Sequence, residues 1–132
     1  MNEIKMARER TSRNYLFGRL LAVADFLEEK SYEQGKHFET VARRLQVSFQ
    51  RHPCETWMEI THRLRFARSK MIAKNPRMYE LLQKEQQDIM WLFTAPEEFT
   101  RDRILSGEYL MAYECEKQWL AEEIKTNKKG EM

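Results

Sequence analysis

Asn14-Tyr15-Leu16-Phe17-Gly18-Arg19-Leu20-Leu21-Ala22-Val23 is a strong helix-forming run with a glycine at its centre. Glycine inside a helix costs about 1 kcal/mol relative to alanine, so something must offset it. Close approach of another helix or backbone at Gly18 is the expected compensation. Around this run Leu16, Leu20, Val23 and Leu27 keep an i, i+4, i+7, i+11 stripe, and Ser12 stands where an N-cap belongs. Phe17, Leu21, Ala24 and Phe26 widen the apolar face. That breadth predicts a central helix with partners on two sides, ending near Lys30. A second glycine repeats the situation in Ser106-Gly107-Glu108-Tyr109-Leu110-Met111-Ala112-Tyr113.

Helical periodicity continues along the chain. A second helix is expected over residues 37–50, with Phe38, Val41, Leu45 and Phe49 inward. Pro53 suits the first turn of a third helix, capped by what precedes it. Trp57, Ile60, Leu64, Ala67 and Met71 give that helix one core stripe at 3-4-3-4 spacing. Asn75-Pro76 repeats the N-cap and first-turn proline signal for a fourth helix, which buries Met78, Leu82, Ile89 and Leu92 and ends before Thr94-Ala95-Pro96. The last helix is expected from near Thr100 to about Lys125, with Leu105, Ala112, Cys115 and Trp119 on one face. Residues 1–11 and 127–132 should fray. The prediction is an all-α fold, a compact bundle of about five helices, in one domain spanning 1–132.

Composition agrees with that class. At 132 residues, 42% hydrophobic and 33% charged, the chain is long enough to bury a core and too apolar for a disordered tail. Four glycines and three prolines are too few for the turns of an all-β fold. No apolar run approaches the roughly 20 residues of a membrane span, and the polar first residues contain no secretory signal. Cys54 and Cys115 lie far apart in helical patterns and read as small hydrophobes. The expectation is a cytoplasmic protein with no membrane contact.

Charge is segregated. Residues 1–77 hold 16 Lys/Arg against 9 Asp/Glu, whereas 78–132 hold 7 against 12. Arg43, Arg44, Arg51, Arg63, Arg65, Arg68, Lys70, Lys74 and Arg77 concentrate the excess. On an unbroken third helix Arg63, Lys70 and Lys74 fall in one sector, with Arg65 and Arg68 on the other flank. Such a column suits the phosphates of a nucleic acid, and the preceding helix and Arg77 extend it if the hairpin packs antiparallel. The candidate nucleic-acid-binding set is Arg43, Arg44, Arg51, Arg63, Arg68, Lys70, Lys74 and Arg77. The competing reading is an ordinary solvated face with weak ion pairs.

Catalytic patterns are missing. His37, His52 and His62 lie on different segments, with no HxxxH or CxxC spacing; His52 and Cys54 flank Pro53 but make a poor metal site. Phosphate loops, dinucleotide turns and nucleophile elbows are absent from the sequence. Glu28-Glu29, Glu97-Glu98 and Glu122-Glu123 diverge on a helix and read as solvated surface. Trp57, Trp91, Trp119, Phe49 and Phe93 sit at core spacing and read as packing residues, which leaves Tyr32 as the exposed aromatic. The chain is expected to be no enzyme and to use no cofactor.

Tyr15-Leu16-Phe17-Gly18-Arg19-Leu20-Leu21-Ala22-Val23 resembles a YLxGRLxAV stretch in the C-terminal region of the large-subunit protein of type I-C CRISPR systems. Thr40-Val41-Ala42-Arg43-Arg44, Pro53 with Trp57-Met58-Glu59-Ile60, and Gly107-Glu108-Tyr109-Leu110-Met111-Ala112-Tyr113 resemble later motifs of that region in the same order. The likeness spans about residues 14–117. Arg43 stands where the family carries an acid, and Leu45 where it carries a tyrosine. In that family the region is also made as a separate chain from an internal start, and a sequence opening at Met1 just before the first motif looks like that product. The resemblance implies a helical, non-catalytic small subunit of the type I-C Cascade complex, present in more than one copy. Its implied partners are the CRISPR backbone and large-subunit proteins, further copies of itself, the crRNA–target DNA and the displaced DNA strand. A purely protein-binding adaptor, its basic face on an acidic partner, is the alternative.

Overall fold

The computed structural model describes residues 9–32 and 39–130, with side chains to residue 125. Eight helices form among them: α1 (Arg13–Ser31), α2 (Val41–Arg44), α3 (Gln46–Arg51), α4 (Pro53–Arg63), α5 (Arg65–Lys74), α6 (Pro76–Trp91), α7 (Pro96–Thr100) and α8 (Glu108–Gly130). No strand occurs among the described residues. The fold is all-α.

Helix α1 is the axis of the molecule. Every residue from Tyr15 to Glu28 is buried, which requires neighbours on all sides. α8 covers it most extensively, and α5, α6, α2 and α4 close the remaining faces. The crossing with α8 passes through Gly18, where a β-carbon would overlap the Tyr109 carbonyl oxygen and lie 2.9 Å from Ala112 Cβ. The two glycine motifs therefore meet each other in space. The second glycine is different: nothing lies within 4 Å of a β-carbon built on Gly107, which stands just before α8. Beside the crossing, the Phe17 ring packs on Phe49, Phe93 and Phe99 at centroid distances of 5.9, 5.2 and 5.4 Å.

Helix starts follow local chemistry where the cap lies nearby. Ser12 is the N-cap residue of α1 through its backbone, its carbonyl accepting Leu16 N at 3.0 Å, while its hydroxyl makes no cap bond. Asn75 Oδ1 accepts Met78 N at 3.2 Å ahead of Pro76, as expected for α6. The α4 cap is remote instead: Asp102 Oδ1 accepts Cys54 N at 2.8 Å and Glu55 N at 3.2 Å. The second predicted helix is two short ones. It starts after Thr40, whose hydroxyl accepts Arg43 N at 3.2 Å, and breaks at Leu45. The expected start at residue 37 and Phe38 lie outside the described residues.

The third predicted helix is also two, α4 and α5, bent at Leu64 with φ −88° and ψ 7°. Arg68 Nη2 donates to Thr61 O across the bend at 2.8 Å, the side-chain competition for a helix carbonyl that accompanies kinks. The bend keeps Trp57, Ile60, Leu64, Ala67 and Met71 all buried.

The last helix begins at Glu108, not near Thr100. Residues before it are held by tertiary bonds that a helix would forfeit. Leu105 N donates to Gln50 O at 2.8 Å, Gln50 Nε2 donates to Leu105 O at 3.1 Å, and Ser106 N donates to Asn14 Oδ1 at 3.0 Å. α8 then continues to Gly130, past the expected end near Lys125.

Two core assignments and one surface assignment change. Trp91, at the last turn of α6, is 85% exposed, and Leu92 beyond it is exposed as well. Phe66 is 68% exposed, whereas Tyr32 is half-buried against the core. The expected exposed aromatic is thus partly covered, and two others stand outside.

Candidate nucleic-acid interface

Two ionic networks hang on α1 and give some of the basic residues a structural role. Arg19 is buried, with Nε 3.0 Å from Glu116 Oε1 on α8 and Nη2 3.0 Å from Glu85 Oε2 on α6. Its two donors fix both neighbouring helices. Charges so fully removed from water persist only when paired, because an unpaired partner costs several kcal/mol.

The second network centres on Asp25, also fully buried. Tyr113 OH donates to Asp25 Oδ2, Lys117 Nζ lies 3.2 Å from it, and Arg43 Nε lies 3.5 Å away. Glu29 receives Arg43 Nη2 at 3.2 Å and also Lys117 Nζ. Burial, then the hydrogen bond to Asp25, pushes the Tyr113 hydroxyl above the ordinary tyrosine range. The hydrogen bond with Tyr113, joined by the nearby Asp25 charge, raises Arg43 above its ordinary value. Arg43 is therefore fastened to α1 and α8. Glu28, expected at the surface, is buried and accepts Val41 N at 2.7 Å, so it caps α2.

The remaining predicted cations stand on several surfaces. Arg44 and Arg51 are exposed on α2 and α3. Arg63 is exposed and pairs with Glu59 at 2.5 Å along α4. Arg68 is half-buried, bonded to Thr61 O, and faces a cleft with Trp57, Leu64 and Leu82. Arg77 is exposed in the first turn of α6. Arg43 opens onto a different groove, beside Tyr113 and Lys117. Arg43 and Arg68 thus face separate hollows, and the bend at Leu64 separates Arg63 from Lys70 and Lys74.

Lys70 and Lys74 do converge, one turn apart on α5, on a cavity of about 220 Å3. A third lysine faces the same cavity: Lys30, in the last turn of α1. Sequence periodicity gave no reason to group Lys30 with the other two, since it lies forty residues from Lys70 and on another helix.

The metal question has a structural answer different from the sequence one. His52, Glu55 and Asp102 place ligand atoms within 4.8 Å of one another, all three exposed. Asp102 is already committed to the backbone of α4, and the Cys54 thiol is buried, which pushes its pKa up. Both cysteines are free thiols. No helix among the described residues is long and apolar enough to cross a membrane.

Helices tied together by buried ion pairs, with further cations left outside, define an all-α protein with a basic exterior on its N-terminal half. The chain belongs to the family described as CRISPR-associated protein (Cas_Csd1), a type I-C associated family whose model matches residues 2–121 of the 132. Both glycine motifs fall within the matched segment. No curated protein matches the chain.

Proposed function

We propose that the chain is a non-catalytic small subunit of a type I-C CRISPR interference (Cascade) complex. It packs in the cytoplasm along the crRNA-bearing backbone, beside the large subunit and further copies of itself, and contacts the target or displaced DNA strand through exposed cations. Family membership over nearly the whole chain carries this reading. Arg44, Arg51, Arg63, Lys70 and Lys74, which lie outside the buried networks, support it, because phosphate contacts need cations that are not locked inside the fold. No residue is assigned a catalytic role.

Affinity purification of the chain, expressed with its neighbouring genes and repeated after nuclease treatment, tests the proposal. A stoichiometric complex retaining a protected short RNA is the expected result. Recovery of the chain alone, or with one nucleic-acid-free protein, overturns it. Exposed Trp91, Phe66 and Met58 favour a second reading, a helical adaptor that meets an acidic protein partner. That reading requires partner binding that survives the nuclease and an absence of nucleic-acid binding at physiological salt.

A further inference from the structure

Three lysines line one cavity. Among the described lining residues of the 220 Å3 hollow are Lys30, Lys70 and Lys74 but no aspartate or glutamate. The contacts that hold two of these lysines are aromatic. Lys30 Nζ lies 5.5 Å from the Phe26 ring centroid and Lys70 Nζ lies 4.7 Å from that of Tyr32. The cations of the two buried networks are neutralised by contrast: Arg19 by two glutamates, Arg43 and Lys117 by Asp25 and Glu29. Like charges left facing one space raise each other's energy, and an anion placed among them relieves it.

The cavity is built on rigid elements. Ser31 Oγ lies 2.6 Å from Leu27 O and 2.9 Å from Ala67 O, so the end of α1 is bonded to the middle of α5. Buried Met71 lies between Lys70 and Lys74 in sequence and lines the same space. Asn75 and Met78 bring the start of α6 to the rim, adding the positive end of a 16-residue helix. Size narrows the ligand. The hollow exceeds the roughly 30 Å3 share of one water yet falls below the roughly 300–1,000 Å3 of a drug-sized site. Favourable helix-dipole placement accounts for Lys30 and Lys74 one at a time, each in a last turn, but not for their convergence with Lys70.

We propose that this cavity is a phosphate-binding site that takes one backbone phosphate of a nucleic-acid strand, walled by Lys30, Lys70 and Lys74. The assignment rests on the nucleic-acid reading above and adds to it a fixed anchoring point that includes α1. Inorganic phosphate has the same chemistry, so the test separates the two sources.

Fluorescence anisotropy with a labelled single-stranded oligonucleotide, over a salt series, is measured for the wild-type chain and for K30Q, K70Q, K30R and K125Q. K30Q and K70Q each weaken binding about threefold to tenfold and flatten the log–log salt slope by about 0.7. K30R keeps the slope, and K125Q, on α8 outside the helices given to the interface, changes nothing. Circular dichroism is the same for all. Normal K30Q binding and slope, while R51Q and R63Q weaken the complex, overturn the cavity and leave the proposed function standing. No oligonucleotide binding by the wild type at physiological salt overturns both. Inorganic phosphate that shifts the Lys30 and Lys70 ammonium resonances, with oligonucleotide affinity indifferent to K30Q, reassigns the cavity to free phosphate and overturns the strand assignment.

Discussion

Gly18 is the position where one missing methyl group decides how closely two helices approach. A β-carbon there meets the Tyr109 carbonyl, a backbone atom that cannot rotate aside. Gly18→Ala gains helix propensity of about 1 kcal/mol but forces α1 and α8 apart, at an overpacking cost of about 1–3 kcal/mol. Thermal denaturation should show a net loss for Gly18→Ala and a change within about 0.5 kcal/mol for Gly107→Ala, which has open space. Glu28 makes a second residue-scale case. Burial pushes its carboxyl above the ordinary value of 4.5, opposed by the hydrogen bond from Val41 N. An acid with a raised folded pKa favours the folded state when protonated. Its contribution is full below about 4.5 and is lost as pH rises through the folded value. Glu28→Gln keeps an acceptor for Val41 N without the charge, so its Tm should exceed the wild type's at neutral pH. That advantage should vanish as pH falls to the unfolded value, and an equal gap at both ends would contradict the argument.

At the scale of elements, the tryptophans report how far an apolar stripe can be trusted. Trp57 →Ala should cost about 3–5 kcal/mol, because its ring is buried against α1, whereas Trp91→Ala should leave stability within about 0.5 kcal/mol. Chemical denaturation followed by far-ultraviolet circular dichroism compares them directly. The two residues read alike in sequence because both continue a 3.6-residue pattern; only the packing reveals that Trp91 stands outside while Ile89 and Phe93 on either side of it pack into the core. Where structure is dictated locally, it was legible: the α1 stripe, Asn75-Pro76 at the start of α6, and the break at Thr94-Ala95-Pro96. Where a remote group decides, it was not. The non-helical stretch around Leu105 and the Asp102 cap of α4 depend on partners far along the chain, Gln50 and the α4 backbone, while the bend at Leu64 goes with a local side-chain bond from Arg68 to Thr61 that apolar periodicity does not encode. The candidate interface divides the same way. Periodicity and charge identified Lys70 and Lys74, but the grouping with Lys30 needs the packed pair α1 and α5.

Over the whole molecule, charge is divided by burial rather than only by sequence half. Arg19, Arg43 and Lys117 hold the helices together, whereas Arg44, Arg51, Arg63, Lys70 and Lys74, the cations that the proposed function gives to polyanions, lie outside those networks. Reversing Arg63, Lys70 and Lys74 to glutamate together should therefore spare helicity. The same change should flatten the salt dependence of single-strand binding by about 2, at about 0.7 per contact. Anisotropy titrations at several salt concentrations read the slope, and an unchanged slope removes these residues from the interface. The arrangement around α1 also has a temporal side. During synthesis α1 leaves the ribosome well before α8, yet α8 supplies its largest covering surface, the Tyr109 contact at Gly18 and the Glu116 partner of Arg19. Until those residues emerge, the nascent chain carries an apolar helix with one face uncovered and an arginine that only Glu85 can neutralise. Burial of α1 is complete only once α8 has been made, and the apolar face left open in that interval is surface of the kind that chaperones and proteases recognise.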